Sequence, residues 1–275
     1  MTASFLGKNR LFLEDLSREE VKVYENGQPR EVEFFAGSEV PVVYGLLFDR
    51  ALLPRSFEDL SPLQGRVPAA QAAANVAYQL VDLGLGRQVG WVATYDTEMR
   101  LALDFSPDGG RIKDAIRQLR GERTLEESSL YSALFASVKK MNRRNERRRV
   151  VILFLEVLDS GTGDKLRPLK NLLSASNIEL FIASFASRTA TVRGLPPFQS
   201  EASLRDLASV TAGDAYFSAM EGIEGLGRRI SEQIRTFYTI GFQSDSPPDN
   251  PARLKVECTR PGVKIKSHPV VPNLR

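Results

Sequence analysis

The chain has 275 residues, of which 42% are apolar and 26% are charged, as in ordinary globular proteins. Its formal net charge of +3 is too small to argue for a nucleic-acid partner. Cys258 is the only cysteine and His268 the only histidine, which excludes an intrachain disulfide, a His-based zinc site and a Ser-His-Asp triad.

The sequence has no sign of a membrane or export segment. No apolar run approaches the roughly 20 residues that a membrane-spanning helix needs. The start MTASFLGKNR lacks the charged beginning, apolar middle and cleavage site of a signal peptide. We therefore predict no membrane span, and two localisations stay open: cytoplasmic, or exported with a leader already removed.

Residues 1–35 form a β-rich beginning. Two apolar-polar alternations, VKVYE and VEFF, flank Asn26-Gly27, a dipeptide that tolerates the positive φ angles of a tight turn. The pattern predicts two antiparallel strands, with Pro29 weakening their pairing. The segment LEDLSREE before them is typical of one short helical turn.

The segment Val42–Asp49 is the most informative in the chain. Its sequence VVYGLLFD is an almost unbroken apolar run, which predicts a strand buried on both faces, as at the centre of an α/β sheet. Asp49 ends this strand, at the edge where open α/β sheets bind their ligands.

Strands and helices alternate after this strand. We expect helices over residues 67–83, 111–119, 128–144, 166–175, 203–211 and 224–236, and strands over residues 88–96, 99–106, 150–157, 178–186 and 214–219. The short link between the strands 88–96 and 99–106 predicts a hairpin and one antiparallel edge strand. This alternation predicts an α/β fold, with a mostly parallel central sheet and helices on both faces.

The end of the chain is β-rich again, from FYTIGFQ to VKIKSHPVV. Neither chain end is large enough to be stable alone, so we expect the two to pair. The predicted organisation is a β-rich segment over residues 1–39, an α/β domain over residues 40–236, and a second β-rich segment over residues 237–275. We expect His268 to be solvated in an edge strand of this last segment.

Several phrases resemble the von Willebrand factor A (vWA) domain, and in particular the vWA-related proteins of Acidobacteria. They are LSREEVKVYENGQPREVEFF, QVGWVATYDTEMRLALDFS, SSLYSAL and the ending FYTIGF with RLKVECTRPGVKIKS, in the family's order over almost the whole chain. The resemblance implies a Rossmann-like vWA sheet inserted into a small β domain that the chain ends form. It also implies an exported bacterial protein that binds other proteins.

Proteins of that family hold Mg²⁺ or Mn²⁺ in a metal-ion-dependent adhesion site (MIDAS), which an Asp-x-Ser-x-Ser motif, a Thr and a further Asp provide. By the resemblance, Asp49 matches the first position, but Ala51 and Leu53 occupy the two serine positions. Ser128 stands at the Thr and Glu156 at the last Asp. Mg²⁺ gives up its waters reluctantly, so a site without two hydroxyl ligands is expected to bind it weakly or not at all.

The residues therefore favour a non-enzymatic protein-binding module without a cofactor, with candidate contacts at Arg50, Leu52, Leu53 and Arg55. Alternatively, Leu52 and Leu53 are buried and fill the space that the lost ion would occupy. A second hypothesis is a metal-dependent adhesion module that holds Mg²⁺ or Mn²⁺ at Asp49, Ser128 and Glu156, with Asp159 as a substitute ligand. The partner protein and the oligomeric state are not identified by the sequence.

A basic run, KKMNRRNERRR, covers residues 139–149. Cations complement the dipole at a helix carboxyl end, and no aromatic residues interleave this run to stack on bases. We expect a solvated helix end there and no nucleic-acid partner.

Overall fold

The computed structural model describes residues 1–8, 11–53, 69–120, 129–155, 166–185, 197–217, 224–247 and 252–270. The strands are β1 Thr2–Leu6, β2 Val21–Glu25, β3 Gln28–Arg30, β4 Val32–Ala36, β5 Val42–Asp49, β6 Val89–Tyr95, β7 Met99–Ser106, β8 Arg148–Leu155, β9 Glu179–Ser184, β10 Asp214–Phe217, β11 Tyr238–Phe242, β12 Leu254–Cys258 and β13 Lys264–Ser267. The helices are α1 Ala69–Asp82, α2 Gly109–Gln118, α3 Leu130–Met141, α4 Leu166–Ala175, α5 Pro197–Ser209 and α6 Leu226–Arg235. No helix in these ranges is long and apolar enough to span a membrane.

A six-stranded sheet forms the centre of the molecule, in the order β10-β9-β8-β5-β6-β7. All neighbouring strands are parallel except β6 and β7, which form the antiparallel hairpin that the sequence predicts. Every residue of β5 is buried, because β6 and β8 flank it and helices cover both of its faces. The predicted α/β fold with one antiparallel edge strand is confirmed.

Two apolar cores lie on the two faces of this sheet. Helices α1, α2 and α6 pack on one face, where Tyr44, Leu46 and Phe48 contribute from β5. Helices α3, α4 and α5 cover the other face, where Val43 and Leu47 contribute. Alternate residues of one strand thus enter different cores, which is the reason for its unbroken apolar sequence.

The pairing of β5 with β6 depends on two complementary contacts between a glycine and an aromatic ring. Gly45 lies opposite Trp91, and Tyr44 lies opposite Gly90. A Cβ atom on Gly45 would lie 2.1 Å from the Trp91 ring, and one on Gly90 would lie 2.3 Å from the Tyr44 ring. Each ring thus lies over the glycine of the other strand, and Trp91 is fully buried.

The chain ends form two further sheets beside this one. Strands β13, β1, β11 and β4 form an antiparallel sheet in that order, and β12, β2 and β3 form another. Together they bury a third apolar core, which includes Phe5, Val23 and Ile240. The two chain ends therefore pair with each other, as expected from their composition.

The predicted hairpin is only partly correct. Asn26 and Gly27 have φ angles of 50° and 82° and join β2 to β3. However, β3 ends at Arg30, and the run that follows, β4, pairs with β11 in the other sheet. Because of this change of partner, Val32 is buried in the chain-end core. The pairing with β2 that the sequence predicts does not account for this burial.

The prediction that His268 is solvated is wrong, because its side chain is fully buried. It follows β13 directly, and the pairing of Ser267 with Ala3 places it beside Thr2 of β1. Strand β1, which the sequence analysis missed inside the β-rich beginning, therefore covers it.

We predict that Gly45→Ala lowers the free energy of unfolding by about 1–3 kcal/mol, because the added methyl group overlaps the Trp91 ring. Urea denaturation measures this change. Gly225→Ala is the matched control, since no heavy atom lies within 4 Å of its Cβ position. Equal stabilities of the two variants would contradict the proposed contact.

Candidate functional site

The candidate site lies at the carboxyl edge of the parallel sheet, where β5 ends at Asp49 and β6 ends beside it at Tyr95. This is the edge where open α/β sheets bind ligands. The described charged residues at this edge are Asp49, Arg50, Asp96 and Arg100. Asp49 ends β5 and Arg50 follows it, Asp96 follows β6, and Arg100 lies on β7, which pairs with β6.

Asp49 is buried and caps the short 3-10 helix Arg50–Leu52 that follows β5. Its Oδ1 accepts a hydrogen bond of 2.9 Å from the Ala51 backbone N–H. One oxygen of the predicted first metal ligand therefore stabilises the local backbone. Ala51, which the sequence resemblance aligns with a serine of the MIDAS motif, is exposed.

Arg50 forms a buried ion pair that the sequence analysis did not predict. Its Nη1 lies 2.7 Å from Oδ2 of Asp96, and both side chains are less than one-tenth exposed. Arg100, whose side chain is 56% exposed, approaches the same Oδ2 at 3.4 Å. Two guanidinium groups thus share one carboxylate at the edge of the sheet.

Burial raises the pKa of the Asp96 carboxyl, but hydrogen bonds outweigh this effect. The backbone N–H of Glu98 donates to Oδ1 at 3.2 Å, and Arg50 donates to Oδ2. The net result is a pKa below the ordinary value, so the carboxyl stays ionised near neutral pH. An ionised and paired carboxylate is a structural anion and is poorly suited to act as a general acid.

The other predicted contact residues divide into buried and undescribed ones. Leu52 is 4% exposed and belongs to the apolar core beneath α1, while Leu53 is half-buried against the same core. This burial favours the alternative that Leu52 fills the space of the lost ion. Neither Leu52 nor Arg50 is exposed enough to contact a partner protein. Arg55 lies outside the described residues, as do the candidate metal ligands Ser128, Glu156 and Asp159.

Within the described ranges, no group of three or more His, Cys, Asp or Glu side chains is placed to hold a metal ion. Because three of the four predicted ligands lie outside those ranges, weak metal binding stays a prediction. Asp49, the remaining ligand, is placed at the sheet edge as expected.

Asp96 and Arg100 are the residues that sequence reasoning missed. A signal for Asp96 was present, because it is the last residue of the strand predicted over residues 88–96. The structure shows that this strand lies beside β5 and ends at the same edge. Its partner was not evident, because Arg50 and Asp96 are 46 positions apart and meet only through strand pairing.

The expectation of a solvated basic helix end holds only for part of residues 139–149. Arg148 begins β8, and its side chain is 1% exposed in an ion pair with Glu179. Arg149 is buried as well and donates to Asn142 Oδ1 at 3.1 Å and to the Arg144 carbonyl at 2.7 Å. These two cations are structural, because the strand they begin lies inside the sheet.

We predict that Asp96→Asn destabilises the fold by about 3 kcal/mol, because Arg50 keeps its buried charge and loses its ionised partner. Thermal unfolding at pH 7 measures the change, with the exposed neighbour Glu98→Gln as control. The folded-state pKa of Asp96 lies below the ordinary 3.8, so its contribution is present above pH 4 and lost as the pH falls further. A midpoint equal to that of Glu98→Gln at pH 7 would contradict this role.

Comparison with known proteins gives structural neighbours only. No protein-family model matches the chain, and no curated protein matches it in sequence. Proximal thread matrix protein 1 from the mussel byssus, with a zinc-occupied MIDAS motif, matches with a TM-score of 0.55 and 14% identity over 77% of this chain and 50% of its own. The PilB minor pilin from Streptococcus sanguinis matches with a TM-score of 0.53 and 8% identity over 72% of this chain and 62% of its own.

A von Willebrand factor type A protein from Catenulispora acidiphila matches with a TM-score of 0.51 and 13% identity, over 78% of this chain and 48% of its own. The chain thus spans between about half and three-fifths of the length of these three structures. At these identities the likeness concerns the fold, and it agrees with the strand order and helix layers described above. The chain has the von Willebrand factor A fold, with flanking sheets that its two ends form.

Proposed function

We propose that this chain is a non-enzymatic protein-binding module that engages its partner at the carboxyl edge of the sheet without a bridging metal ion. The observation that carries the proposal is the Arg50–Asp96 ion pair, which puts an internal cation at the edge where a MIDAS would hold an external one. Replacement of both motif hydroxyls by Ala51 and Leu53 supports the same conclusion.

The proposed contact surface consists of the side chains at this edge that remain accessible. Ala51 is exposed, Leu53 is half-buried and the Arg100 side chain is 56% exposed. We include Arg55 because it follows these residues in sequence. Arg50 and Leu52 support this surface from beneath and do not contact the partner.

We further propose that the chain works outside the cytoplasm, as the sequence resemblance implies. Two of the structural neighbours are named as a minor pilin and a thread matrix protein. Both names describe parts of assemblies outside the cytoplasm, which supports this placement. The proposal of a binding module is also supported by the scarcity of catalytic groups, since the chain has one His and one Cys.

The second candidate is a metal-dependent adhesion module that holds Mg²⁺ or Mn²⁺ at Asp49, Ser128 and Glu156. It is favoured by the position of Asp49 and by the zinc in the MIDAS of the byssal neighbour. The two candidates make opposite predictions about divalent ions.

We predict that millimolar Mg²⁺ or Mn²⁺ leaves the thermal unfolding midpoint where it is in EDTA. A metal at about 100 times its dissociation constant stabilises a folded protein by roughly 2.7 kcal/mol, which raises the midpoint by several degrees. Asp49→Ala is the comparison variant, and loss of its helix cap lowers the midpoint equally with and without metal. A metal-induced rise in the parent that is absent from Asp49→Ala would replace the first candidate by the second.

Partner binding is tested by a photo-crosslinking amino acid at position 51, in protein expressed in its native cells. Position 228 on α6, also exposed, is the matched control. We expect a specific adduct from position 51 that persists in EDTA, and none from position 228. Equal adducts from both positions would exclude the proposed surface, and loss of the adduct in EDTA would favour the metal-dependent module.

A further inference from the structure

The four-stranded sheet of the chain ends has one apolar and one polar face, and both are buried. Ala3, Phe5 and Ile240 point into the chain-end core. The neighbouring positions on the opposite face are polar and also buried, and they are Thr2, Ser4, Thr239 and His268. Strand register places Thr2 beside Thr239, and Ser4 beside Lys266, on this polar face.

The polar face covers the amino edge of the six-stranded sheet, opposite the candidate partner site. Thr2 lies beside Glu179, the first residue of β9, and Glu179 pairs with Arg148 of β8 at 3.5 Å. At the rim, Lys266 of β13 pairs with Asp214 of β10. The contact between the chain-end sheet and the α/β sheet is therefore polar and ionic, in contrast to the three apolar cores.

Many groups in this junction have no hydrogen-bond partner among the described residues. They are the hydroxyls of Ser4 and Thr239, both ring nitrogens of His268 and Nε of Arg148. Each buried polar group without a partner costs free energy, so a junction that collects them is weaker than an apolar interface of the same area. Separation here exposes these groups to water, and the hydrogen bonds that they then form offset part of its cost.

We propose that this junction is an acid-released latch, which holds the chain-end sheet on the α/β sheet near neutral pH and opens when His268 takes up a proton. The His268 ring is fully buried at the junction. Its two nitrogens can form hydrogen bonds with water only when the two sheets separate. The latch lies far from the carboxyl edge in the fold and does not depend on the partner-binding proposal.

The surroundings of the His268 ring determine whether falling pH favours the closed or the open form. Burial, with the nearby Met1 amino group, lowers the pKa of His268 from 6.5 to about 3. Above pH 6.5 the closed and open forms bind no proton there. Between about pH 6.5 and 3 the open form binds more protons, so falling pH favours opening by up to about tenfold per pH unit.

Glu179 acts in the opposite direction, because burial raises its pKa and the closed form takes up a proton there more readily than an exposed carboxyl. Arg148 stays charged and pairs with it. The Met1 amino group acts in the same direction as His268, because burial lowers its pKa from 8.0 to about 6. The net slope of the parent protein therefore differs from that of His268 alone. A variant that changes only the histidine isolates its contribution.

The test is the rate of thiol labelling in a Cys258→Ser background, with Ser4→Cys as the reporter on the buried polar face. The reporter protein and its His268→Gln variant are compared at each pH from 7.5 to 4, so that the intrinsic reactivity of the thiol cancels. We expect the protein with the histidine to be labelled faster than the variant as the pH falls, by up to tenfold per unit, while Val151→Cys in the buried strand β8 stays protected in both. Identical pH dependence of the two proteins would overturn the proposal. Parallel labelling at position 151 would overturn it as well, because it indicates global unfolding.

Thr239→Val provides an independent variant that keeps the histidine. It removes an unpartnered hydroxyl without a large change of shape, so it should strengthen the junction. We expect the labelling of the Ser4→Cys reporter to slow at every pH, with its pH dependence unchanged. Unaltered labelling in this variant would show that the buried polar groups do not weaken the junction.

Discussion

The burial of β5 on both faces is the constraint on which the rest of the structure depends. A strand with eight consecutive buried residues needs a neighbouring strand on each side and a helix layer above and below. The chain meets this requirement with β6 and β8 beside the strand and with two groups of three helices over its faces. The same constraint leaves Asp49 at the carboxyl edge, where the strand leaves the core.

At that edge, charged side chains that could bind a ligand pair with other groups of the chain instead. The Asp49 carboxylate caps the turn that follows it, and Arg50 reaches Asp96 across the strand pair. A guanidinium group in such a place supplies a permanent positive charge that no solution ion has to provide. The described charges at this edge of the vWA fold thus pair with each other, and this pairing is the basis of the proposed metal-independent function.

Most of the α/β architecture could be predicted from the sequence because its signals are local. The apolar runs of β5, β8 and β9, the helix periodicities and the short turn before β7 each specify an element without reference to distant residues. The features that escaped prediction depend on distant pairing. The run after Asn26-Gly27 changes sheets because β11 is available to it, and His268 is buried because β1 from the other chain end covers it.

In the candidate site, too, features with local signals were predictable and features that depend on distant pairing were not. The position of Asp49 at the end of a buried strand follows directly from the residues, and the structure places Asp49 as expected. The loss of both serine hydroxyls is what the family resemblance implies. The burial of Leu52 and the pairing of Arg50 with Asp96 required knowledge of which strands are neighbours. A composition-based expectation also failed for Arg148, because a charged residue at the start of a central strand lies inside the sheet.

We propose that the Arg50 guanidinium occupies the edge where a MIDAS would hold a metal ion. Anomalous diffraction from crystals of the chain soaked in Mn²⁺ tests this proposal. We expect no anomalous peak within bonding distance of Asp49, with the Arg50 guanidinium paired to Asp96. A strong peak bonded to the Asp49 carboxylate, with Arg50 displaced from Asp96, would contradict it.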